Sequence, residues 1–200
     1  MTGKWMLYAG ILVVFGFAFF GYKFTARGAY ESAEYSVLES EGTFQIRHYP
    51  DLFVAATEAQ FATQGKDGSF MRLFRYISGA NDQERKIAMT TPVLMGAETD
   101  DNPGQMGFVL PKTVSKQRIP EPSDDDVQIR KRAGGRFAVI RFPGRINANS
   151  MSKVESQLRN WMKEKGLIGD GDAEFAGYDP PWTPGPLRRN EVLIRLKSGN

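Results

Sequence analysis

Cysteine is absent from all 200 residues, and histidine occurs once, as His48. The first absence removes disulfides, thiolate metal sites, iron–sulfur clusters and cysteine nucleophiles. The second removes any centre that needs several imidazoles. Surplus charge is missing from most of the chain as well. The net charge of +3 is carried by Lys4, Lys23 and Arg27; the other 23 basic residues are matched by 23 acidic ones, none of them before residue 28. So balanced a net charge gives no support to electrostatic binding of a phosphate backbone, and nucleic acid is not expected as a partner. The run Arg130-Lys131-Arg132 follows Asp124-Asp125-Asp126 and reads as a solvated turn. No carboxylates at paired spacing and no histidine beside an acid point to hydrolysis.

What is present begins with residues 5–22, which carry no charge and lie between Lys4 and Lys23. That length approaches the ~20 apolar residues that span a hydrocarbon core. No small-x-small cleavage site follows, so residues 1–27 are expected to be a retained single-pass membrane anchor, with its amino terminus cytoplasmic and the rest of the chain outside. Residues 28–200 then form one domain, in keeping with 41% hydrophobic and 12% aromatic residues.

The domain contains a duplication. Segment 44–59 aligns with 127–142: Gln45-Ile46-Arg47 recurs as Gln128-Ile129-Arg130, and Phe53 as Phe137. Each copy is two short runs around a turn. A helix follows in each. The first opens after Lys66-Asp67-Gly68, with Phe70, Leu73, Phe74 and Ile77 on one stripe and Gly79 and Asn81 as its stop. The second runs from about Asn149 to Lys165, with Met151, Val154, Leu158, Trp161 and Met162 on one side and Gly166 as its stop. Two strands come next in each half, Lys86 to Val93 and Met106 to Leu110, then Ala173 to Trp182 and Glu191 to Leu196, with Pro92 and Pro180-Pro181 at matching places. The order is ββαββ twice, over about 43–110 and 126–197, with Pro111–Pro122 as linker and 97–105 as a surface loop. Two such units related by a pseudo-twofold axis can close their sheets against each other.

The strings YISGAN and KIAMTTPV between Tyr76 and Val93, the tail YDPPWTPGPLRRNEVLIRL from Tyr178 to Leu196, and the opening FQIRHYP resemble the SOUL haem-binding family. The likeness covers about Tyr30 to Lys197 and is greatest to bacterial members with an N-terminal hydrophobic anchor. It implies an α+β fold of duplicated ββαββ units, a distorted eight-stranded antiparallel barrel with two flanking helices, following an N-terminal transmembrane helix. It also implies haem or another tetrapyrrole as ligand, in a shallow apolar groove beside the first helix and near the loop before the last strand, with no common catalytic reaction. An inner-membrane protein with its domain in the periplasm is the matching expectation. By motif, the basic residues at the propionates fall on Arg72 and Arg75. Where mammalian members carry a basic residue in the tail loop this chain has Thr183, for which Arg188 or Arg189 can substitute.

Each candidate has a plainer alternative. His48 shares a strand face with Phe44 and Ile46 and is a possible axial iron ligand, but its counterpart Lys131 suggests a solvent-facing strand end. Phe70, Leu73, Phe74 and Ile77 suit a core, which leaves the stripe's edge, beside Met71, for a ligand. Met89 and Met95 suit soft ligation, pocket lining or gap filling. Trp182, in a loop with four prolines, is a lid over a ligand or a plug on the barrel end. Arg188 and Arg189 pair on the surface unless one faces the groove. Glu58 and Glu191 are the carboxylates suited to a cationic ligand in a cavity. The expected haem contacts are therefore Arg72, Leu73, Phe74, Arg75, Met89, Trp182, Arg188 and His48. The leading function is a membrane-tethered tetrapyrrole carrier or buffer; the competing ones are an enzyme acting on bound haem or another amphipathic molecule, and an envelope module without ligand. No protein partner is indicated.

Overall fold

The computed structural model describes residues 30–60, 67–96, 104–180 and 182–197. The expected anchor at 5–22 and most of the 97–105 loop lie outside these. Among the described residues no helix is long and apolar enough to cross a membrane.

The strands are β1 (Glu31–Ser32), β2 (Ser36–Glu41), β3 (Phe44–Tyr49), β4 (Leu52–Glu58), β5 (Thr90–Thr91), β6 (Val93–Gly96), β7 (Gln105–Val109), β8 (Gln128–Arg132), β9 (Gly135–Phe142), β10 (Glu174–Gly177) and β11 (Asn190–Arg195). The helices are α1 (Ser69–Ile77), α2 (Lys112–Ser115) and α3 (Ala148–Glu164). Nine strands form one curled antiparallel sheet in the order β2-β3-β9-β11-β10-β6-β7-β4-β8, while β1 and β5 form a separate parallel pair. The class is thus α+β. Eight of the nine are the strands of the ββαββ repeats; β2 is the addition, and its pairing with β3 makes it one end of the sheet.

Exchanging the halves (β3, β4, β6, β7 for β8, β9, β10, β11) reverses the order from β3 to β8 without changing it. The duplication is therefore structural, with a pseudo-twofold axis between β6 and β10. The halves do not close as two sheets against each other. β3 pairs with β9 and β4 with β8, so each half lends strands to the other, and the runs flanking each tight turn do not pair. The two turns meet instead: a Cβ on Gly134 would lie 2.5 Å from the Tyr49 carbonyl oxygen, and the Gly134 N–H donates to Asp51 Oδ1 at 2.7 Å. Only glycine permits that approach.

Five further sequence expectations are corrected. Arg47 faces Phe137 and Arg130 faces Val54, so the counterpart of Phe137 is Val54, not Phe53. The alignment has no gap. Arg130-Lys131-Arg132 lies on β8 rather than in a turn, because pairing with β4 satisfies its main chain. Residues 86–89 are not strand, and β10 ends at Gly177. Pro92 precedes β6 whereas Pro180 follows β10, so the prolines stand at opposite ends of their strands.

Three apolar clusters hold the fold together. The α3 stripe expected from sequence (Met151, Val154, Leu158, Trp161, Met162) is buried throughout, against alternate residues of β9 and β11 such as Ala138, Ile140, Val192 and Ile194. Under α1, Leu73, Tyr76 and Ile77 meet Ala55, Met106 and Phe108. The other residues of β9 and β11, Phe137, Val139 and Leu193, join Tyr49 and Tyr178 in the third cluster. α3 starts at a reciprocal cap: Asn147 Oδ1 accepts from the Ser150 N–H at 2.9 Å, and Ser150 Oγ accepts from the Asn147 N–H at 3.0 Å.

Candidate functional site

α1 has more apolar residues than its core face can bury. Leu73 and Ile77 are inside, but Phe74, one position along, is 43% exposed, and Met71 is exposed beside it. Phe70 is half-buried; its ring stacks on Phe74 with centroids 6.2 Å apart and meets Phe108 edge-on at 5.3 Å. Phe74 is therefore held in place although water reaches it. It lines an open groove of about 400 Å³ with Ile77, Ser78, Lys86, Ile87 and Met89. Residues 86–89 form the far wall because the Ile87 N–H donates to the Ile77 carbonyl at 2.8 Å, tying that segment to the helix C-terminus.

This groove gathers only part of the expected site. Phe74 and Met89 line it. Leu73 does not: it is wholly buried, since the stripe that makes α1 amphipathic points it at the sheet. Arg72 projects from the other side of the helix, where Nε donates to Thr57 Oγ1 at 3.0 Å and Nη2 to the Glu58 carbonyl at 2.9 Å. It lines a separate polar cleft of about 190 Å³ with Glu58, Gln105, Asp125, Asp126, Gln128 and Arg130. Arg75 is exposed and pairs with Asp124 at 3.3 Å. The cation on the apolar groove is instead Lys86. Lys86 is not legible as a site residue from sequence, because the segment it opens reads as strand; the lack of strict alternation there is the available signal.

The remaining candidates sit elsewhere. His48 is exposed on β3, opposite Arg136 and Ser36, and lines neither cleft. Met95 packs against the α3 core. Trp182 is 66% exposed. Thr183 beneath it is buried, and its hydroxyl has no hydrogen-bond partner among the described residues. Arg188 Nε donates to the Thr183 carbonyl at 2.8 Å, which ties the loop to itself.

Glu191 is not an open cavity carboxylate. It is 0% exposed, and Arg47, 1% exposed, grips it through two bonds of 2.7 and 3.0 Å. Arg189 adds two more guanidinium contacts, at 2.9 and 2.7 Å, and the Tyr178 hydroxyl donates at 2.9 Å. Burial pushes the Glu191 pKa up, but the bonds from Arg47 and Arg189 outweigh it, and the carboxyl is held below its usual range. The Arg47 guanidinium also lies 4.1 Å from the centroid of the Tyr35 ring. This cluster is a closed structural unit.

A family model described as SOUL heme-binding protein matches residues 30–195. Human Heme-binding protein 2 is 30% identical over 164 residues, covering 78% of this chain and 80% of the human protein. Bovine Heme-binding protein 1 is 29% identical over 128 residues, 62% of this chain and 66% of the bovine one. Among solved structures, the C-terminal domain of EcmrR superimposes with a TM-score of 0.56 at 9% identity, over 82% of this chain and 98% of that one. A hydrolase from Listeria innocua gives 0.56 at 9% identity, over 80% and 94%. At such identities these two share the fold alone.

Proposed function

Because this chain belongs to the SOUL heme-binding protein family, we propose that it binds haem or another tetrapyrrole in the groove between α1 and residues 86–89, and that it serves as a membrane-tethered carrier or buffer. The observation that carries the reading is the exposure of Phe74 in a groove otherwise walled by Ile77, Ile87 and Met89. An aromatic ring fixed in water does little for folding. It suits a large apolar disc, and the groove's volume is within the ~300–1,000 Å³ of small-molecule sites.

The residues present fit the group. Lys86 offers an ammonium for a propionate, Met89 a thioether, and Phe74 a flat apolar face. Haem, when bound, brings its own iron chemistry; the chain's side chains here hold and orient it. Among the described residues Lys86 is the one ionisable side chain lining the groove, and with no positioned carboxylate or imidazole among them there a carrier is favoured over an enzyme. The uncharged run 5–22 supports a single-pass tether; the domain is proposed to lie on the periplasmic side of an inner membrane.

A hemin titration of the full chain in detergent tests the site. Addition of hemin gives a saturable Soret shift; Phe74→Ser and Lys86→Glu each weaken binding about tenfold, a loss of ~1.4 kcal/mol. Arg75→Glu and His48→Ala leave affinity and spectrum unchanged. Absence of a shift at micromolar hemin removes the reading. A reporter fused at the C-terminus assigns the side of the membrane.

A further inference from the structure

The two most exposed large apolar side chains among the described residues are Trp182, at 66%, and Leu187, at 61%. They belong to one loop, and looseness is not what exposes them. The Thr183 N–H donates to the Pro180 carbonyl at 3.0 Å, the Leu187 N–H to that of Pro184 at 2.9 Å, and the Arg188 N–H to that of Gly185 at 3.0 Å. Pro184 and Pro186 stiffen the 3-10 turn Gly185–Leu187, and buried Thr183 pins the loop from below. A loop already fixed loses little entropy on docking.

Its tip is flanked by cations; the adjoining acid in sequence, Asp179, accepts from the Arg189 N–H at the loop's base. Residues 141–147 and 180–188 contain Arg141, Arg145 and Arg188 and no acid, and Arg141 turns to Glu191 at 3.6 Å. The Gly144 N–H donates to the Gly185 carbonyl at 3.0 Å, and Arg145 Cγ lies 3.7 Å from the Cβ position of Gly185. Arg145 is thus exposed directly beside the loop. Tryptophan and leucine tips backed by guanidinium groups suit the boundary between anionic headgroups and acyl chains.

We propose that the Trp182–Arg188 loop is a membrane-contacting surface that seats on an anionic lipid bilayer, with Trp182 and Leu187 in the interface and Arg145 among the phosphates. The proposal rests on the reading that residues 5–22 tether the chain. Arg189, next after the loop, donates to the Tyr35 hydroxyl at 3.1 Å, so the chain arriving from the tether passes beside it. Tyr35 lies thirteen positions after Tyr22, a reach of at most ~45 Å. Val93 and Gly177 are paired, with Met89 four residues before the one and Trp182 five after the other. Loop and groove therefore lie towards the same end of the sheet, and a docked loop brings the groove to the lipid surface where an amphipathic porphyrin partitions.

The test places the full chain in phosphatidylcholine vesicles, with and without phosphatidylglycerol, containing brominated lipid. Trp182 fluorescence is obtained by difference from Trp182→Phe. In anionic vesicles Trp182 emission is expected to shift blue and be quenched, and Arg145→Glu to lower the docked fraction about fivefold with unchanged thermal unfolding. Unshifted, unquenched emission overturns the proposal. So does protection that grows with protein density, which indicates contact between copies, or quenching by hemin without quenching by lipid, which indicates a lid. Release of the chain by alkaline extraction refutes the tether separately. Hemin titration of the same samples reads the groove independently of the loop.

Discussion

Gln45-Ile46-Arg47 and Gln128-Ile129-Arg130 are one motif in two copies, and the structure gives them the same bonds in opposite surroundings. Arg47 Nε donates to Gln45 Oε1 at 2.7 Å, and its terminal nitrogens grip Glu191 on β11. Arg130 Nε reaches Gln128 Oε1 at 3.3 Å, and Nη1 donates at 2.9 Å to Gln105 on β7. Gln105 and Glu191 occupy equivalent places, each four residues before the partner of an equivalent residue, Val109 opposite Val54 and Arg195 opposite Phe137. The copies differ in that β3 is paired with β2 as well as β9, whereas β8 is an end of the sheet among the described residues. One guanidinium lies dry against a carboxylate; the other stands in water beside an amide. Geometry survives duplication, but burial sets what that geometry is worth.

Removing each guanidinium breaks or sharpens the contrast. Arg47→Met leaves Glu191 without its bidentate partner and is expected to cost about 3–5 kcal/mol. Arg130→Met is expected to change stability by no more than ~0.5 kcal/mol. Urea unfolding of both variants measures the difference, and equal costs would refute it. Acid gives a second view. The Glu191 carboxyl is held below its usual range, so it contributes stability above the unfolded value of ~4.3 and loses it as pH falls through the lowered folded value. Arg47 stays charged throughout. Glu191→Gln should therefore flatten the stability profile in that acid window, at a lower plateau.

That contrast also marks the limit of what was legible beforehand. Both long helices could be read because their periodicity is local: every expected α3 stripe residue is buried, and α1 begins after Gly68 as expected. The eight repeat strands were legible in number and order for the same reason, though not the Arg130–Arg132 end of β8, the start of β6 or the end of β10. Their pairing was not. Exchange of β3 and β4 between halves is a long-range choice, and a run such as Phe44–Tyr49 carries no mark of whether it will pair across its turn or with Gly135–Phe142. β2, exposed at every position, has no buried face to give it an alternating pattern. Arg47 looked like its exposed twin, because only β2 and Glu191 distinguish them. The candidate site divides likewise: Phe74, from the α1 stripe, and Met89, from the segment after the helix, line the groove, while Arg72 and Arg75, placed by motif, do not.

The two halves also use their helices differently, and neighbouring residues on α1 make the point. Leu73 and Leu158 are each wholly buried, one under each helix. Truncation to alanine should cost ~2–5 kcal/mol at either site through lost contacts and a cavity. Phe74→Ser, one residue from Leu73, should cost less than ~1 kcal/mol while weakening hemin binding. Thermal unfolding and hemin titration together separate the core from the site. A Phe74 variant as unstable as the Leu73 variant would make Phe74 core and remove the groove's defining feature.

The smallest expected effect tests whether the halves are energetically separate. Asn147 caps α3, and Asn147→Ala should cost about 1 kcal/mol. Asp67 holds the start of α1 by accepting from the Ser69 N–H at 3.0 Å and from the Gln60 N–H at 2.6 Å. Asp67→Ala should cost a similar amount. The two losses should diverge in function, because α1 carries Phe74 into the groove and α3 contributes nothing to it. Hemin affinity should fall with Asp67→Ala and hold with Asn147→Ala. Equal weakening by both would mean that strand exchange transmits strain across the pseudo-twofold axis, so that the second half supports the groove as directly as the first.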